Sequence, residues 1–253
     1  MIRLGVSGAG GRMGRLVCET AAGLDDLELI GGFDPFHAGE VVAGVVLGDD
    51  PSVLSGCDVI VEFTNPDVVM ANLGHWRSHG SNVVVGTSGF DSLRVAEVMA
   101  DWGSGPPNCL IVPNFSIGAV LMMRFAELAA PHFAAAEVIE LHHDRKADAP
   151  SGTSLSTAER IGTAKPVQQR ALESRELVAG ARGAEVSGVP VHSVRLPGLL
   201  AHQEVILGSA GEVLSIRHDS TDRVSFMPGV LLAVRKVSDL PGVTVGLDEL
   251  LGL

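Results

Sequence analysis

Residues 140–153 concentrate side chains that can carry protons and bind anions. The segment reads Glu-Leu-His-His-Asp-Arg-Lys-Ala-Asp-Ala-Pro-Ser-Gly-Thr, and it joins the end of a predicted strand to the start of a predicted helix. A histidine and a lysine held near a cleft are suitable proton carriers at neutral pH. We therefore expect His142 and Lys146 to belong to a site for a small anion with acid–base capacity.

The flanks of this segment limit how its side chains can meet. Neighbouring residues of a strand point to opposite faces, so His142 and His143 cannot enter one pocket by the same route while the strand persists. Lys146 lies past the strand end, where the chain can fold back over the same cleft. Residues 151–153, Ser-Gly-Thr, offer hydroxyls and free backbone N–H groups at a helix start, which suits a carboxylate.

Other interpretations of these residues stay open. The two adjacent histidines could bind a metal, although the segment supplies only two, with acids scattered around them and no second ligand cluster. Lys146 could form a Schiff base with a carbonyl substrate. It could also be a solvated surface cation, which is the commonest fate of a lysine.

A glycine-rich turn follows the first apolar run of the chain. Gly8, Gly11 and Gly14 have GxxGxxG spacing between a predicted strand and a predicted helix. Glycine lets the backbone turn sharply and approach a pyrophosphate, while the helix N-terminus presents unpaired N–H groups to the anion. The arrangement predicts a dinucleotide site, although a purely structural turn would have the same spacing.

An acidic residue stands where such a site would place the adenosine ribose. Asp34 lies 20 residues after Gly14, just beyond the second apolar run. An acid there hydrogen-bonds the ribose hydroxyls, which favours NADH. Arg12 could reach a ribose 2′-phosphate if the loop flexes, so NADPH stays open, and Asp34 could instead be a solvated loop acid.

The elements that must position these residues alternate through the first half of the chain. Short apolar runs predict strands and segments of helical spacing lie between them, as in βαβ units with right-handed crossovers around an open, doubly wound parallel sheet. The predicted strands are residues 2–7, 27–33, 59–63, 82–85 and 110–112, and the predicted helices are 12–22, 66–79 and 91–102.

The second half has a different pattern. Consecutive strands joined by tight turns predict an α+β domain with a mixed or antiparallel sheet. A last helix could return to the first domain and make it discontinuous. The predicted helices are 119–130, 151–161, a helix-compatible stretch at 166–180, and 228–237; the predicted strands are 136–142, 189–196, 204–207 and 213–218, the last two joined by a hairpin turn at 208–211.

Composition excludes several classes of protein. The formal charge of −12 and the lack of a basic, aromatic-rich stripe argue against nucleic-acid binding. No apolar run approaches the roughly 18 to 20 residues of a membrane span, and no signal-peptide pattern opens the chain. Three separated cysteines suggest neither disulfides nor a zinc site. We expect a cytoplasmic protein with no membrane, metal or nucleic-acid partner.

Taken together, the motifs resemble the 4-hydroxy-tetrahydrodipicolinate reductases, also called dihydrodipicolinate reductases. The likeness covers essentially the whole chain and is most specific in the HHxxKxDAPSGT core; the motifs that carry it are residues 8–14, 62–64, 86–89, 113–116 and 140–153. The resemblance implies a homotetramer that reduces a cyclic dicarboxylate imine on the diaminopimelate route to lysine, with NADH or NADPH. It also implies a Rossmann-type dinucleotide-binding domain of residues 1–113 and 223–253, and a substrate-binding and tetramerisation domain of residues 114–222.

The resemblance also assigns residues. It makes His142 a proton donor or acceptor and Lys146 a proton donor. The dicarboxylate-binding positions are His143, Gly152 and Thr153, to which the helix-start argument adds Ser151. The dinucleotide-binding positions are Gly8, Ala9, Gly10, Gly11, Arg12, Met13, Asp34, Gly86, Thr87, Ser88, Val112, Pro113, Asn114 and Phe115. The Pro and Phe that follow Asp34 offer no cation, which leaves the choice between NADH and NADPH open.

Two competing functions remain at this point. One is another Rossmann-fold reductase of aspartate-derived aldehydes or hydroxy acids; its aldehyde-acylating form would need a nucleophilic cysteine, whereas Cys109 lies in an apolar strand. The other is a catalytically silent nucleotide-binding sensor that kept the fold. Intact His142 and Lys146 argue against the sensor.

Overall fold

The computed structural model describes residues 1–164 and 175–253, which form two compact units. The first unit is Met1–Ser116 with Phe226–Leu253, and the second is Ile117–Ser225. Most of the helix-compatible stretch expected at 166–180 lies outside the described residues, and its residues 175–180 form bends and turns.

The secondary structure is labelled here in chain order. The described strands are β1 Ile2–Ser7, β2 Leu27–Phe33, β3 Val41–Val42, β4 Val45–Gly48, β5 Val59–Glu62, β6 Asn82–Val85, β7 Cys109–Ile111, β8 Ala135–His142, β9 Ala184–Val186, β10 Val189–Arg195, β11 Ala201–Ser209, β12 Glu212–Ser220 and β13 Val243–Val245. The described α-helices are α1 Arg12–Ala21, α2 Val69–Ser78, α3 Ser92–Trp102, α4 Ile117–Ala129, α5 Gly152–Ala164 and α6 Met227–Lys236.

The first unit is built on one eight-stranded sheet. Its strand order is β13-β7-β6-β5-β1-β2-β4-β3, and all pairs are parallel except β3 with β4. Every residue of β5 and of β7 is buried, as expected for central strands covered on both faces. The predicted doubly wound, mostly parallel sheet is therefore confirmed.

The strand ends and helix starts differ slightly from prediction. β7 lies one residue earlier than expected, and β5 one residue shorter. Helix α2 begins at Val69 rather than at position 66, because Asn65 accepts the backbone N–H of Asp67 in a side-chain turn just before it. Three strands of this sheet were not predicted (β3, β4 and β13), since they form through pairing with other strands rather than from a distinct apolar run.

The second unit is a five-stranded mixed sheet with helices on one face. Its order is β12-β11-β8-β10-β9, with β10 parallel to β8 and the other neighbours antiparallel. The predicted mixed sheet is confirmed. The hairpin loop is shorter than the expected 208–211, because Ser209 pairs with Glu212 and leaves only two loop residues. Strand β9 was not predicted. A tight turn at Ser187 and Gly188, both with positive φ, connects β9 to β10.

The two faces of this sheet differ in burial. Val138, Val205 and Leu207 are buried on the face that contacts α4 and α5, and Gln203 on the same face hydrogen-bonds α5. The alternating residues of the other face are partly exposed. This open face comprises Glu137, Ile139, His192, Glu204, Ile206 and Arg217.

None of the helices formed by residues 1–164 and 175–253 is long and apolar enough to cross a membrane.

Candidate active site

A buried hydrogen-bonded group lies at the carboxyl end of β8. Glu140 and His142 are two residues apart on this strand and so share a face, and the Nδ1 atom of His142 hydrogen-bonds the Glu140 carboxylate. Arg195 lies opposite His142 in the parallel register of β10. Its two terminal nitrogens donate to the two oxygens of Glu140 over 2.9 and 2.8 Å. His142, Glu140 and Arg195 thus form one hydrogen-bonded group.

The charge of this group follows from its surroundings. The Glu140 side chain has no solvent exposure, and burial alone would raise its pKa. The hydrogen bonds from His142 and Arg195 outweigh burial and lower the pKa of Glu140 to about 2. Glu140 is therefore an ionised acceptor at neutral pH, and His142 faces a fixed negative charge.

Lys146 is tied to the same group through the loop that follows β8. Its Nζ atom donates to Oδ1 of Asp148 over 2.7 Å, and Arg195 donates to the backbone carbonyl of Asp148 over 2.5 Å. Burial raises the pKa of Asp148. The hydrogen bond from Lys146, together with the charges of Lys146 and Arg195, outweighs burial, so the pKa of Asp148 is lowered. The loop thus places the two expected proton carriers around one arginine.

His143 lies just past the end of β8, so strand alternation does not apply to it. Its ring is half-buried, and its Nδ1 atom is buried without a hydrogen-bond partner among the described residues. A buried polar nitrogen that lacks a partner in the protein is one that a ligand oxygen can satisfy. This observation fits the expected contact with a carboxylate.

Residues 151–153 differ in their surroundings at the start of α5. Ser151 is buried, and its Oγ accepts the backbone N–H of Ser154 over 3.2 Å. Its hydroxyl is therefore the N-cap of α5. Gly152 is exposed, and a Cβ built on it would meet nothing within 4 Å. Thr153 is half-buried. Space for a ligand therefore opens at Gly152, next to the helix N-terminus.

In the first unit, the glycine loop has the close backbone contacts that its sequence predicts. Gly8 has φ +77°, and a Cβ on it would lie 2.2 Å from the carbonyl oxygen of Phe63. A Cβ on Gly14 would lie 2.1 Å from the carbonyl oxygen of Gly8. Helix α1 begins after Gly11 without a side-chain cap. Its first-turn N–H groups therefore suit a phosphate, and the residues fit a dinucleotide.

Asp34 is buried just after β2 and hydrogen-bonds the glycine loop. One carboxylate oxygen accepts the N–H of Gly10 over 2.9 Å, and the other accepts the N–H of Phe36 over 3.1 Å. His37 lies with Nδ1 3.0 Å from Asp34, and its ring occupies the space where a Cβ of Gly10 would be. The imidazole of His37 thus lies beside Asp34, where Pro35 and Phe36 supply no cation.

The remaining expected cofactor positions, 86–88 and 112–115, follow two neighbouring strands of the same sheet, β6 and β7. Thr87 accepts the N–H of Thr64 over 2.9 Å and donates to the carbonyl of Glu62, which joins two strand-end loops. The rings of Phe63 and Phe115 pack 5.5 Å apart. Parallel strands end at one edge, so all these loops share the edge at which such sheets bind ligands. Ala9 and Val112 are buried, Met13 and Asn114 half-buried, and Arg12, Ser88 and Pro113 exposed.

Sequence reasoning missed three residues of these networks. Glu140, Arg195 and Glu62 were not among the expected site residues, although Glu140 and Glu62 have no solvent exposure. Glu62 accepts hydrogen bonds from Asn72 over 3.1 Å and Trp76 over 2.8 Å. The available signal was an acid on the apolar face of a predicted strand, which must find partners when buried.

Alternative chemistries find no support in the described residues. Cys18, Cys57 and Cys109 are free and buried, and burial raises the pKa of each thiol to about 12. None of them is an activated nucleophile. Within residues 1–164 and 175–253, no group of three or more His, Cys, Asp or Glu side chains is placed to hold a metal ion.

Comparison with known proteins agrees over the full length. Family models described as "Dihydrodipicolinate reductase, N-terminus" and "Dihydrodipicolinate reductase, C-terminus" match residues 2–115 and 118–251. Curated 4-hydroxy-tetrahydrodipicolinate reductases of Cutibacterium acnes and Nocardia farcinica are 53% and 51% identical, over 100% of this chain and 100% and 99% of theirs. A dipicolinate-bound dihydrodipicolinate reductase structure from Paenisporosarcina sp. TG-14 is 35% identical with a TM-score of 0.83, covering 98% of this chain and 99% of that one. The resemblance is confirmed, and the chain belongs to the dihydrodipicolinate reductase family.

Proposed function

We propose that this protein is a 4-hydroxy-tetrahydrodipicolinate reductase, which reduces a cyclic dicarboxylate imine to tetrahydrodipicolinate in diaminopimelate and lysine biosynthesis. The observation that carries the proposal is the hydrogen-bonded group of Glu140, His142 and Arg195, with Lys146 joined to it through Asp148. An acid–base group of this kind, beside an open helix N-terminus, suits a reaction in which an anion must accept a proton.

In this proposal the second unit binds the dicarboxylate and manages the proton. One carboxylate is held at the start of α5 by Gly152 and Thr153, where Ser151 fixes the helix end as its cap. His143 offers to a carboxylate oxygen its Nδ1 atom, which has no hydrogen-bond partner in the described part of the chain. His142 and Lys146 supply the proton that the conjugated imine takes up as it is reduced.

The first unit holds the dinucleotide, which supplies the hydride when bound. The loop of residues 8–13 and the uncapped start of α1 would hold the pyrophosphate. Loop residues 86–88 and 112–115 line the same sheet edge. Asp34 is available to the adenosine ribose through Oδ2, which accepts the N–H of Gly10 and has a second lone pair. We propose NADH or NADPH as the cofactor, with the position of Asp34 favouring NADH.

We further propose that the protein is a cytoplasmic homotetramer. Three free, buried cysteines suit a reducing compartment. The open face of the second sheet combines apolar side chains such as Ile139 and Ile206 with charged ones. The resemblance implies the tetramer, and we place its interface on this face because Ile139 and Ile206 are only half-buried in the single chain.

Steady-state kinetics test the function directly. The substrate is generated in situ from pyruvate and aspartate semialdehyde, and oxidation of NADH and of NADPH is followed side by side. The proposal predicts turnover that depends on the dicarboxylate with at least one cofactor. Binding of a nucleotide without turnover would favour a sensor, and turnover of aspartate semialdehyde alone would favour a different reductase.

A further inference from the structure

We propose that Glu140, held by Arg195, is a positioning residue that keeps a proton on Nδ1 of His142 and so makes Nε2 the nitrogen that exchanges protons. The inference rests on the proposed function for its catalytic meaning, but the proton's location can be tested independently of any reaction. Neither Glu140 nor Arg195 was expected to belong to the site from sequence.

The geometry commits the Glu140 carboxylate to His142 and Arg195. Its side chain is fully buried on the helix-facing side of β8, so water cannot replace its partners. One oxygen takes both the His142 ring and an Arg195 nitrogen, and the other takes the second Arg195 nitrogen. An ionised carboxylate only accepts hydrogen bonds, so Nδ1 of His142 must be the donor in this contact.

Arg195 keeps the acid ionised and in place. Besides its two bonds to Glu140, its guanidinium donates to the carbonyl oxygens of Val194 and Asp148 over 2.8 and 2.5 Å. A planar guanidinium with several anchored N–H groups holds a carboxylate in one orientation. Among the described residues, His142 is thus bonded to Glu140 on its own strand, Glu140 to Arg195 on β10, and Arg195 to the backbone of Asp148, whose side chain pairs with Lys146.

In this arrangement, Nε2 is the nitrogen of His142 that gives up a proton. The doubly protonated ring donates Nδ1–H to Glu140 and holds its second proton on Nε2. When that proton moves to the substrate, the ring is left neutral with Nδ1–H intact, and Glu140 stays ionised throughout. Without the acid, the neutral ring would be free to carry its single proton on Nε2, and Nε2 could then not take up the next proton.

Neutron diffraction from perdeuterated wild-type protein locates the deuterons directly. The inference predicts a deuteron on Nδ1 of His142, directed at Glu140, and none on the carboxylate. A bare Nδ1, or a deuterated Glu140, would overturn it. This result does not depend on any substrate, so an absence of reductase turnover would sink the proposed function and leave the tautomer question answered.

Kinetics of matched variants test the catalytic consequence. Glu140→Gln removes the charge but little volume, and we expect kcat to fall about 100-fold, within the range of general acid–base contributions, with the KM for cofactor unchanged. Glu127→Gln is the control, since Glu127 also pairs with two arginines in the same unit, on α4. Equal kcat in both variants would overturn the positioning role; if Glu140→Gln fails to fold, the neutron result decides.

Discussion

Lys146 and His142 are held by acids of different exposure. Glu140 is buried, whereas the Asp148 side chain that binds Lys146 is 56% exposed and the Lys146 side chain 23% exposed. A surface ion pair of this kind is worth little energetically and breaks readily. Lys146 can therefore leave Asp148 for a substrate, while His142 keeps its orientation.

Replacing Lys146 with Ala is expected to lower kcat by about 100-fold or more, in the range of a lost general acid, while the Kd for NADH changes less than threefold. Lys146 belongs to the unit that does not carry the glycine loop. Steady-state kinetics and fluorescence titration with NADH measure the two effects, with Lys236→Ala, at an exposed lysine, as control. Equal losses in kcat and cofactor affinity would contradict the role.

The lowered pKa of Glu140 also predicts an acid dependence of stability. Because folding lowers this pKa from 4.5 to about 2, its contribution is complete above pH 4.5 and is lost as the pH falls towards 2. The contribution is on the order of 3 kcal/mol. Urea unfolding at pH 5 and pH 3 should show a smaller decrease in unfolding free energy for Glu140→Gln than for wild type; identical decreases would contradict this account.

At the scale of elements, the glycines of the strand-end loops are packing positions. A Cβ on Gly86 would lie 2.1 Å from the Phe63 ring and 2.7 Å from the Phe115 ring. The two rings and their loops must then move, because aromatic side chains in contact have no room for an added carbon. Gly86→Ala should thus disturb the expected cofactor loops as well as stability.

We expect Gly86→Ala to lower the free energy of unfolding by about 1 to 3 kcal/mol, the usual cost of overpacking, and to weaken NADH binding. Gly74→Ala is the matched control: Gly74 lies in α2 with nothing within 4 Å of its built Cβ, so alanine should stabilise the helix by about 0.5 to 1 kcal/mol. Urea unfolding and NADH titration measure both. Equal stability of the two variants would contradict the packing argument.

How far sequence predicts an element depends on its length and its neighbours. β1, β2 and β6 begin and end where their apolar runs do, because each is bounded by turn residues. The short β3, β4 and β13 exist only through pairing with strands elsewhere in the sheet. The pairing of Glu140 with Arg195 bridges 55 residues. No local pattern encodes that distance, so the acid's partner became visible only in the fold.

At the scale of the molecule, the acidic surface limits which ligands can approach. The chain has a formal charge of −12, and residues 140–153 set Arg145 and Lys146 against Glu140, Asp144 and Asp148. Large polyanions are repelled by such a surface, whereas a small anion needs only a few cationic and N–H groups around it. This agrees with a metabolite rather than a nucleic acid as ligand.

The proposed tetramer is tested on the open face of the second sheet. Ile206→Lys places a charge among the half-buried side chains of that face and should lower the mass measured by sedimentation below four chains, because burying an unpaired charge is costly. Val46→Lys, at a residue 62% exposed in the first unit, should leave the mass unchanged. A tetramer that persists in Ile206→Lys would place the interface elsewhere.

The central claim is that hydride passes from a nicotinamide to the dicarboxylate imine. Mass spectrometry of the product made with NADH or NADPH carrying deuterium at both C4 positions tests it most directly. The account predicts a product one mass unit heavier than that made with ordinary cofactor. Cofactor oxidation that leaves no deuterium in the product, or no reduced product with either cofactor, would contradict it.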